Sequence, residues 1–166
     1  WNIKYKKNIT FSRLAAYEIY RSIKENNILK NIFSLDKDSK IIFIPIPINV
    51  KRRKERGYNQ TELLAQELKR FDIENHFTMI NDLLTRPDHN EHQTKKDRRG
   101  RIQGALNIFQ INTMRQEKLY EQNVQILNTK IIILDDVITT GSTILSAMNT
   151  LNQAGWKHVY ALSIAH

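Results

Sequence analysis

The chain has 166 residues, 40% of them apolar, with 26 basic and 17 acidic side chains and a net charge of +9. That length suits one compact domain with a core of its own, and no run approaches the roughly 18 apolar residues of a membrane span, so membrane insertion is not expected. Cysteine is absent, which excludes disulfides and thiolate metal sites and fits a cytoplasmic protein. From the amino terminus, Phe11, Leu14, Ala15, Ile19 and Ile23 recur at helical spacing, predicting a helix over 11–26. "IIFIPIP" reads as a short strand stopped by Pro45 and Pro47. "NQTELLAQELKRF" opens with Asn59 and, three residues on, Glu62, the pattern of a capping box at a helix start. Residues 78–85 suggest another strand, 86–101 are polar and rich in breakers, and "GALNIF" suits a short extended piece. Residues 112–123 are polar and give no clear period. Then come a buried strand in "KIIIL", a helix over 142–154 stopped by Gly155, and a last strand in "HVYALSIA".

Short apolar strands alternating with amphipathic helices predict an α/β fold, a mainly parallel sheet covered by helices on both faces. Ligands of such sheets sit beyond the carboxyl ends of the strands. Three features fall at expected strand ends: Asp135 with Asp136, the basic run after Pro47, and the loop after Leu84.

The string "IIILDDVITTGSTIL" carries the most chemistry. Two adjacent carboxylates at the end of a buried strand repel each other, so they need hydrogen-bonding partners or a metal ion. They are natural acceptors for a pair of sugar hydroxyls and ligands, direct or through water, for a hard divalent cation. Thr139, Thr140, Gly141, Ser142 and Thr143 then stand at a helix start. Free backbone N–H groups and the positive end of the helix dipole favour a phosphate there, Gly141 allows close approach, and the hydroxyls add donors. Ile144, Met148 and Leu151 form the stripe that anchors this helix. An acid pair followed one turn later by a phosphate cradle suits a sugar phosphate. Neither G-x-x-x-x-G-K-[ST] nor G-x-G-x-x-G occurs, which argues against a nucleoside-triphosphate loop and a dinucleotide fold.

The positive charge lies in two blocks: Lys51, Arg52, Arg53, Lys54 and Arg56, and Lys95, Lys96, Arg98, Arg99 and Arg101. Such blocks suit anionic partners, phosphates or nucleic acid. Tyr58, between a cation and two amides in "RGYNQ", suits stacking on a base. His89 and His92 precede the second block and could assist proton transfer, but the spacing of the histidines offers no metal motif.

The acid-pair string resembles the signature of the type I phosphoribosyltransferases. The resemblance implies that Asp135 and Asp136 hold the 2- and 3-hydroxyls of phosphoribosyl pyrophosphate, with Mg²⁺, and that Thr139, Thr140, Gly141, Ser142 and Thr143 hold its 5-phosphate. Purine-salvage members usually place an aspartate where this chain has Thr139, which argues against a 6-oxopurine acceptor. "IKYKKN", "IPIPINV", "RGYNQ", "QT" and "RGRIQGALNIF", in that order before the acid pair, are together similar to the ComF family. That branch of the fold is linked to bacterial competence.

This narrower resemblance implies one phosphoribosyltransferase-like domain over 1–166, with a small hood formed by the amino-terminal segment and 107–125. It implies pyrophosphate binding by Lys51, Arg52, Arg53, Arg56, Gln60, Lys95, Arg98 and Arg99. Lys51 through Arg56 would form the pyrophosphate loop, and Arg86 with "QTKKDRRGR" a lid that closes over the reacting centre. Asp135, Asp136 and Arg86 would act in transfer of the phosphoribosyl group to an unknown acceptor. The same groove suits single-stranded DNA, held by Arg52, Arg53, Tyr58, Lys96 and Arg101, and a place in the DNA-uptake machinery; the alternative is a non-catalytic protein on the same fold that handles single-stranded DNA or senses phosphoribosyl pyrophosphate. Ile102 or Gln103 stands where the family has an asparagine, and Leu106 replaces an aromatic. The family's four-cysteine zinc module is missing, and with Trp1 in place of Met a truncated amino terminus is expected.

Overall fold

Alternation within the strands assigns each apolar side chain to one of two layers. The computed structural model describes residues 2–33, 40–73, 75–87 and 108–165. Four strands, β1 (Lys40–Pro45), β2 (Phe77–Met79), β5 (Thr129–Val137) and β6 (His158–Ala165), form a sheet of order β2-β1-β5-β6 in which every pairing is parallel. Two shorter strands, β3 (Leu84–Thr85) and β4 (Gln110–Ile111), pair antiparallel beside it.

On one face Ile41 and Phe43 of β1, Phe77 of β2, and Ile132 and Leu134 of β5 meet two helices. These are α1 (Asn2–Glu25), through Ala15, Ala16, Ile19 and Ile23, and α4 (Gln60–Phe71), through Leu64, Ala65 and Leu68. The intervening residues Ile42, Ile44, Ile131 and Ile133 face the opposite layer. There they meet Ala147 and Leu151 of α6 (Ser142–Gln153), Leu119 of α5 (Thr113–Glu121), and Leu83, Phe109 and Trp156. A period of two is what a sheet covered on both faces demands. Helix α2 (Asn27–Phe33) succeeds α1 and lends Phe33, whose ring lies 5.6 Å from that of Phe43. This parallel sheet flanked by helices is compatible with a type I phosphoribosyltransferase-like fold.

Several expectations need correction. The first helix begins at Asn2 rather than near residue 11, and the face toward the sheet is Ala15, Ile19 and Ile23, while Phe11 and Leu14 remain 60% and 63% exposed. The segment 78–85 is two separate pieces, β2 and β3, because the chain leaves the parallel sheet after Met79 and joins the small one at Leu84. The polar segment 112–123 is mostly α5, capped by Asn112, whose side chain accepts from the Arg115 N–H. Only Leu119 of that helix is buried, so its sequence carries little periodic signal. The basic run after Pro47 is a helix rather than a loop. This α3 (Val50–Arg56) starts at Asn49, whose side chain accepts from the Arg52 N–H at 2.8 Å, and ends at Gly57 with φ of 80°. The capping box at α4 is half made: Asn59 accepts from the Thr61 N–H, whereas Glu62 turns away to Arg53.

The connection from α4 to β2 hangs on Asp72, whose side chain is fully buried. It accepts from Lys69 Nζ at 2.9 Å and from the backbone N–H groups of His76 and Phe77 at 2.8 and 3.2 Å. Burial alone would raise its pKa, but the Lys69 ammonium and the two N–H donors together hold it below the ordinary carboxylate value. The group therefore stabilises the fold above its unfolded pKa, and that stabilisation is lost as pH falls through the lower folded value. Asp72→Ala is expected to cost about 2–4 kcal/mol in urea unfolding at pH 7, and clearly less at pH 3.

Candidate functional site

Because all four main strands run in parallel, their carboxyl ends open on one edge. Register pairs Pro45 with Leu134, and the Ile46 N–H extends the ladder to the Leu134 carbonyl at 2.9 Å. The turn leading to α3 thus starts beside Asp135. Asp135 lies inside β5 rather than in the loop beyond it, since the strand continues to Val137, and it is only 8% exposed. It extends the row of Ile131 and Ile133 toward the layer that contains Phe109.

The electrostatics of the pair are costly. Burial, and next the adjacent Asp136 charge, push Asp135 up to about 6, although the Asp136 N–H, donating to Asp135 Oδ1 at 2.9 Å, and the Arg86 charge oppose this. Asp136 in turn accepts from the Val137 N–H at 2.9 Å. Arg86 comes just after β3, and its guanidinium lies over the Phe109 ring at 5.7 Å. The Phe109 segment is tied to α6 where the Ile108 N–H donates to the buried Ser146 hydroxyl at 3.1 Å. Burial and then the like charge of Arg52 lower the Arg86 pKa, and the Asp135 charge raises it. Arg86, just after β3, therefore has both Arg52 of α3 and Asp135 of β5 as electrostatic neighbours.

The hydroxyl loop also sits at this edge. Gly141 adopts φ of 73° as the residue before α6, and a β-carbon there would meet nothing within 4 Å. Gly141 offers no side-chain cap, and the Thr140 hydroxyl accepts from the Ser142 N–H at 3.4 Å. Thr140 and Ser142 hydroxyls lie 3.0 Å apart, and Thr139 and Thr140 are exposed while Thr143 is half-buried. Ile144 and Leu151 anchor the helix as its sequence pattern requires.

The basic residues divide. Lys51 through Arg56 are all exposed on α3, which buries none of its residues. Arg53 spends its fork on Glu62, at 2.9 and 3.0 Å, and Arg56 donates to Gln60 at 2.8 Å. Arg53, Arg56 and Gln60 are thus engaged within the chain, while Lys51 and Lys54 make no ion pair among the described residues. Tyr58 is half-buried beside them. His89, His92, Lys95, Lys96, Arg98, Arg99 and Arg101 lie outside the described residues. Sequence reasoning did not single out Phe109 as the platform for Arg86, nor Ser146 as its tether, because either residue alone reads as ordinary core.

Two adjacent carboxylates, one of them buried and short of counter-charge, fit a hard divalent cation that takes its other ligands from water and substrate. Among the described residues no group of three or more His, Asp or Glu side chains could cage a metal.

A parallel α/β sheet with an acid pair, a hydroxyl-rich helix start and converging arginines is compatible with the phosphoribosyltransferase-like class of proteins. No protein-family model matches the chain. It is similar to competence protein F of Haemophilus influenzae, 28% identical over 163 residues that cover 98% of this chain and 64% of that protein. It is also similar to competence protein ComFC of Bacillus subtilis, 31% identical over 118 residues that cover 71% of this chain and 41% of that protein. The chain thus spans less than two thirds of the length of either relative. Both relatives are named as competence proteins. No helix of the described residues is long and apolar enough to cross a membrane.

Two stability measurements probe the site without any ligand. A carboxyl raised to about 6 binds its proton more tightly in the folded state, so stability falls as pH rises from near 4 through 6 and then stays level. Asp135→Asn, which keeps an oxygen for the Asp136 N–H, is expected to raise the midpoint of thermal unfolding at pH 7.5 in metal-free buffer and to leave it unchanged at pH 4. Gly141→Ala meets no steric obstacle but must hold a positive φ, and is expected to cost about 1 kcal/mol in urea unfolding.

Proposed function

We propose that the chain binds phosphoribosyl pyrophosphate with Mg²⁺ at the edge formed by β5, α6 and α3, and transfers its phosphoribosyl group to an acceptor during cytoplasmic handling of incoming DNA. The observation that carries this reading is the meeting of Arg86 with a buried, charge-strained Asp135 and with Arg52, one loop away from a helix start rich in hydroxyls. The names of the two relatives support a competence context.

In this reading Asp135 and Asp136 accept hydrogen bonds from the ribose hydroxyls, which orients the sugar over the carboxyl end of β5. The Thr139, Thr140, Ser142 and Thr143 hydroxyls and the first N–H groups of α6 hold the 5-phosphate. Arg86 and Arg52 face the pyrophosphate oxygens, where charge grows as the bond from the anomeric carbon to oxygen breaks and pyrophosphate leaves with the electron pair. The acceptor's lone pair forms the new bond to that carbon and its proton is released. Bound Mg²⁺ supplies charge neutralisation of the pyrophosphate oxygens. Phe109 beneath Arg86 fixes the guanidinium in place, so little reorganisation is needed as charge develops.

Calorimetric titration with phosphoribosyl pyrophosphate and Mg²⁺ is expected to give saturable binding that falls roughly 10–100-fold in Asp135→Asn/Asp136→Asn, the scale of lost charge-assisted hydrogen bonds. Release of pyrophosphate on addition of a base or amine acceptor establishes turnover. Binding without release across a broad acceptor panel would reduce the protein to a sensor of this ligand, and absence of binding would remove the proposal.

A second ligand is favoured by one observation: Lys51 and Lys54 project from an exposed helix without ion pairs among the described residues. Single-stranded DNA laid along α3 would share Arg52 with the pyrophosphate site. Oligonucleotide binding is expected to weaken with salt and with Arg52→Ala, and to compete with phosphoribosyl pyrophosphate. Simultaneous binding of both ligands would place the DNA elsewhere.

A further inference from the structure

Asn59 and Thr61 have no direct part in the acid-pair cleft, yet they are 2% and 3% exposed, unusually low for polar side chains. Asn59 donates through Nδ2 to the Ile46 carbonyl at 2.9 Å, and the Thr61 hydroxyl reaches the same oxygen at 2.8 Å. The two side chains also brace each other, since Asn59 Oδ1 accepts from the Thr61 N–H at 3.2 Å and lies 2.8 Å from its hydroxyl. A carbonyl oxygen has lone pairs for two donors. On its other side, Ile46 donates its N–H to Leu134, the residue before Asp135. Ile46 is therefore gripped between the start of α4 and the end of β5.

The chain beyond Ile46 makes this grip consequential. Pro47 has no N–H to donate, so the backbone has one tie fewer where the chain turns out of the sheet. Helix α3 starts three residues after Ile46, at Asn49, and buries none of its own residues. Its visible side-chain ties to α4, Arg53 to Glu62 and Arg56 to Gln60, are exposed, and exposed ion pairs hold geometry weakly. The direction in which α3 presents Arg52 is thus decided at its root, by the carbonyl that Asn59 and Thr61 hold.

We propose that Asn59 and Thr61 are positioning residues for the anion site: their clasp on Ile46 sets where Arg52 meets Arg86. This rests on the reading of that cleft as a pyrophosphate site. Loss of the clasp leaves a buried carbonyl short of donors, lets 46–49 shift, and carries α3 with it. Displacement of a charge-bearing group by about an ångström is enough to cost one to two orders of magnitude in a preorganised site.

The test is calorimetric binding of inorganic pyrophosphate with Mg²⁺ to the full chain. Asn59→Ser keeps a capping oxygen for α4 but is too short to reach Ile46. Thr61→Val removes the hydroxyl at nearly constant shape, and Thr61→Ser restores it. Asp72→Ala serves as a control that weakens the fold at the far end of α4. With every variant kept well below its unfolding temperature, Asn59→Ser and Thr61→Val are expected to bind pyrophosphate about tenfold more weakly. Their salt dependence should also be shallower, because Arg52 no longer contributes. Thr61→Ser and Asp72→Ala are expected to keep parental affinity. Hydrogen exchange should quicken at the Ile46 and α3 amides in the two weakened variants alone. Parental affinity in Asn59→Ser and Thr61→Val, or an equal loss in Asp72→Ala, overturns the positioning role and leaves the cleft reading standing. A parent chain that binds no pyrophosphate overturns both.

Discussion

Parallel pairing of β1 with β5 is the constraint on which the rest depends. It sets Pro45 beside Leu134 and continues one residue further through the Ile46 N–H. Two connections far apart in sequence, one leading into a basic helix and the other into an acid pair, then leave the sheet side by side. Register in a two-faced sheet is strongly specified, since a slip of one residue would turn Ile41 and Phe43 into the wrong layer and Ile42 and Ile44 into the other. The geometry of the cleft is thus secured by hydrophobic packing well below it.

Against that rigid floor, the site itself is held under electrostatic strain. Asp135 is buried next to a second carboxylate, and Arg86 is half-buried next to a second guanidinium. Each group is partly compensated by the other, yet among the described residues neither pair of like charges is neutralised. Such an arrangement costs folding free energy. The contrast with Asp72 is instructive. That carboxylate is more deeply buried, but an ammonium and two backbone donors satisfy it, so its pKa moves down instead of up. Burial by itself does not mark a functional acid; burial without sufficient partners does.

Much of the architecture was legible because periodicity reports burial directly. The strands "KIIIL" and "HVYALSIA" and the helices after Asn59 and Gly141 can be read from apolar spacing and capping residues. Legibility failed where burial was slight or one-sided. Helix α5 has one buried residue, and α3 none, so neither shows a period. Phe11 and Leu14 match the stripe of α1 but lie at its margin, where the sheet no longer covers them. Glu62 stood at the right offset for a capping box, but Arg53 offered a charged, bidentate partner across the turn, and a charge-assisted pair prevails over a single backbone N–H.

The amino-acid sequence by itself determined the α/β class, the strand that delivers the acid pair, the phosphate-cradle composition of the next loop and the excess of positive charge. These are local properties, carried by side-chain spacing within a few turns or strand residues. Tertiary structure decided which cations face the acids and which are already engaged. Arg86 meets both Asp135 and Arg52, whereas Arg53 turns to Glu62 and Arg56 to Gln60. It also decided that Asn59 and Thr61 clamp the root of α3 instead of meeting a ligand. A list of residues cannot distinguish these outcomes, because charge and hydrogen-bonding capacity belong to the side chain, while the partner that uses them is chosen by distances set only when the sheet and its helices pack.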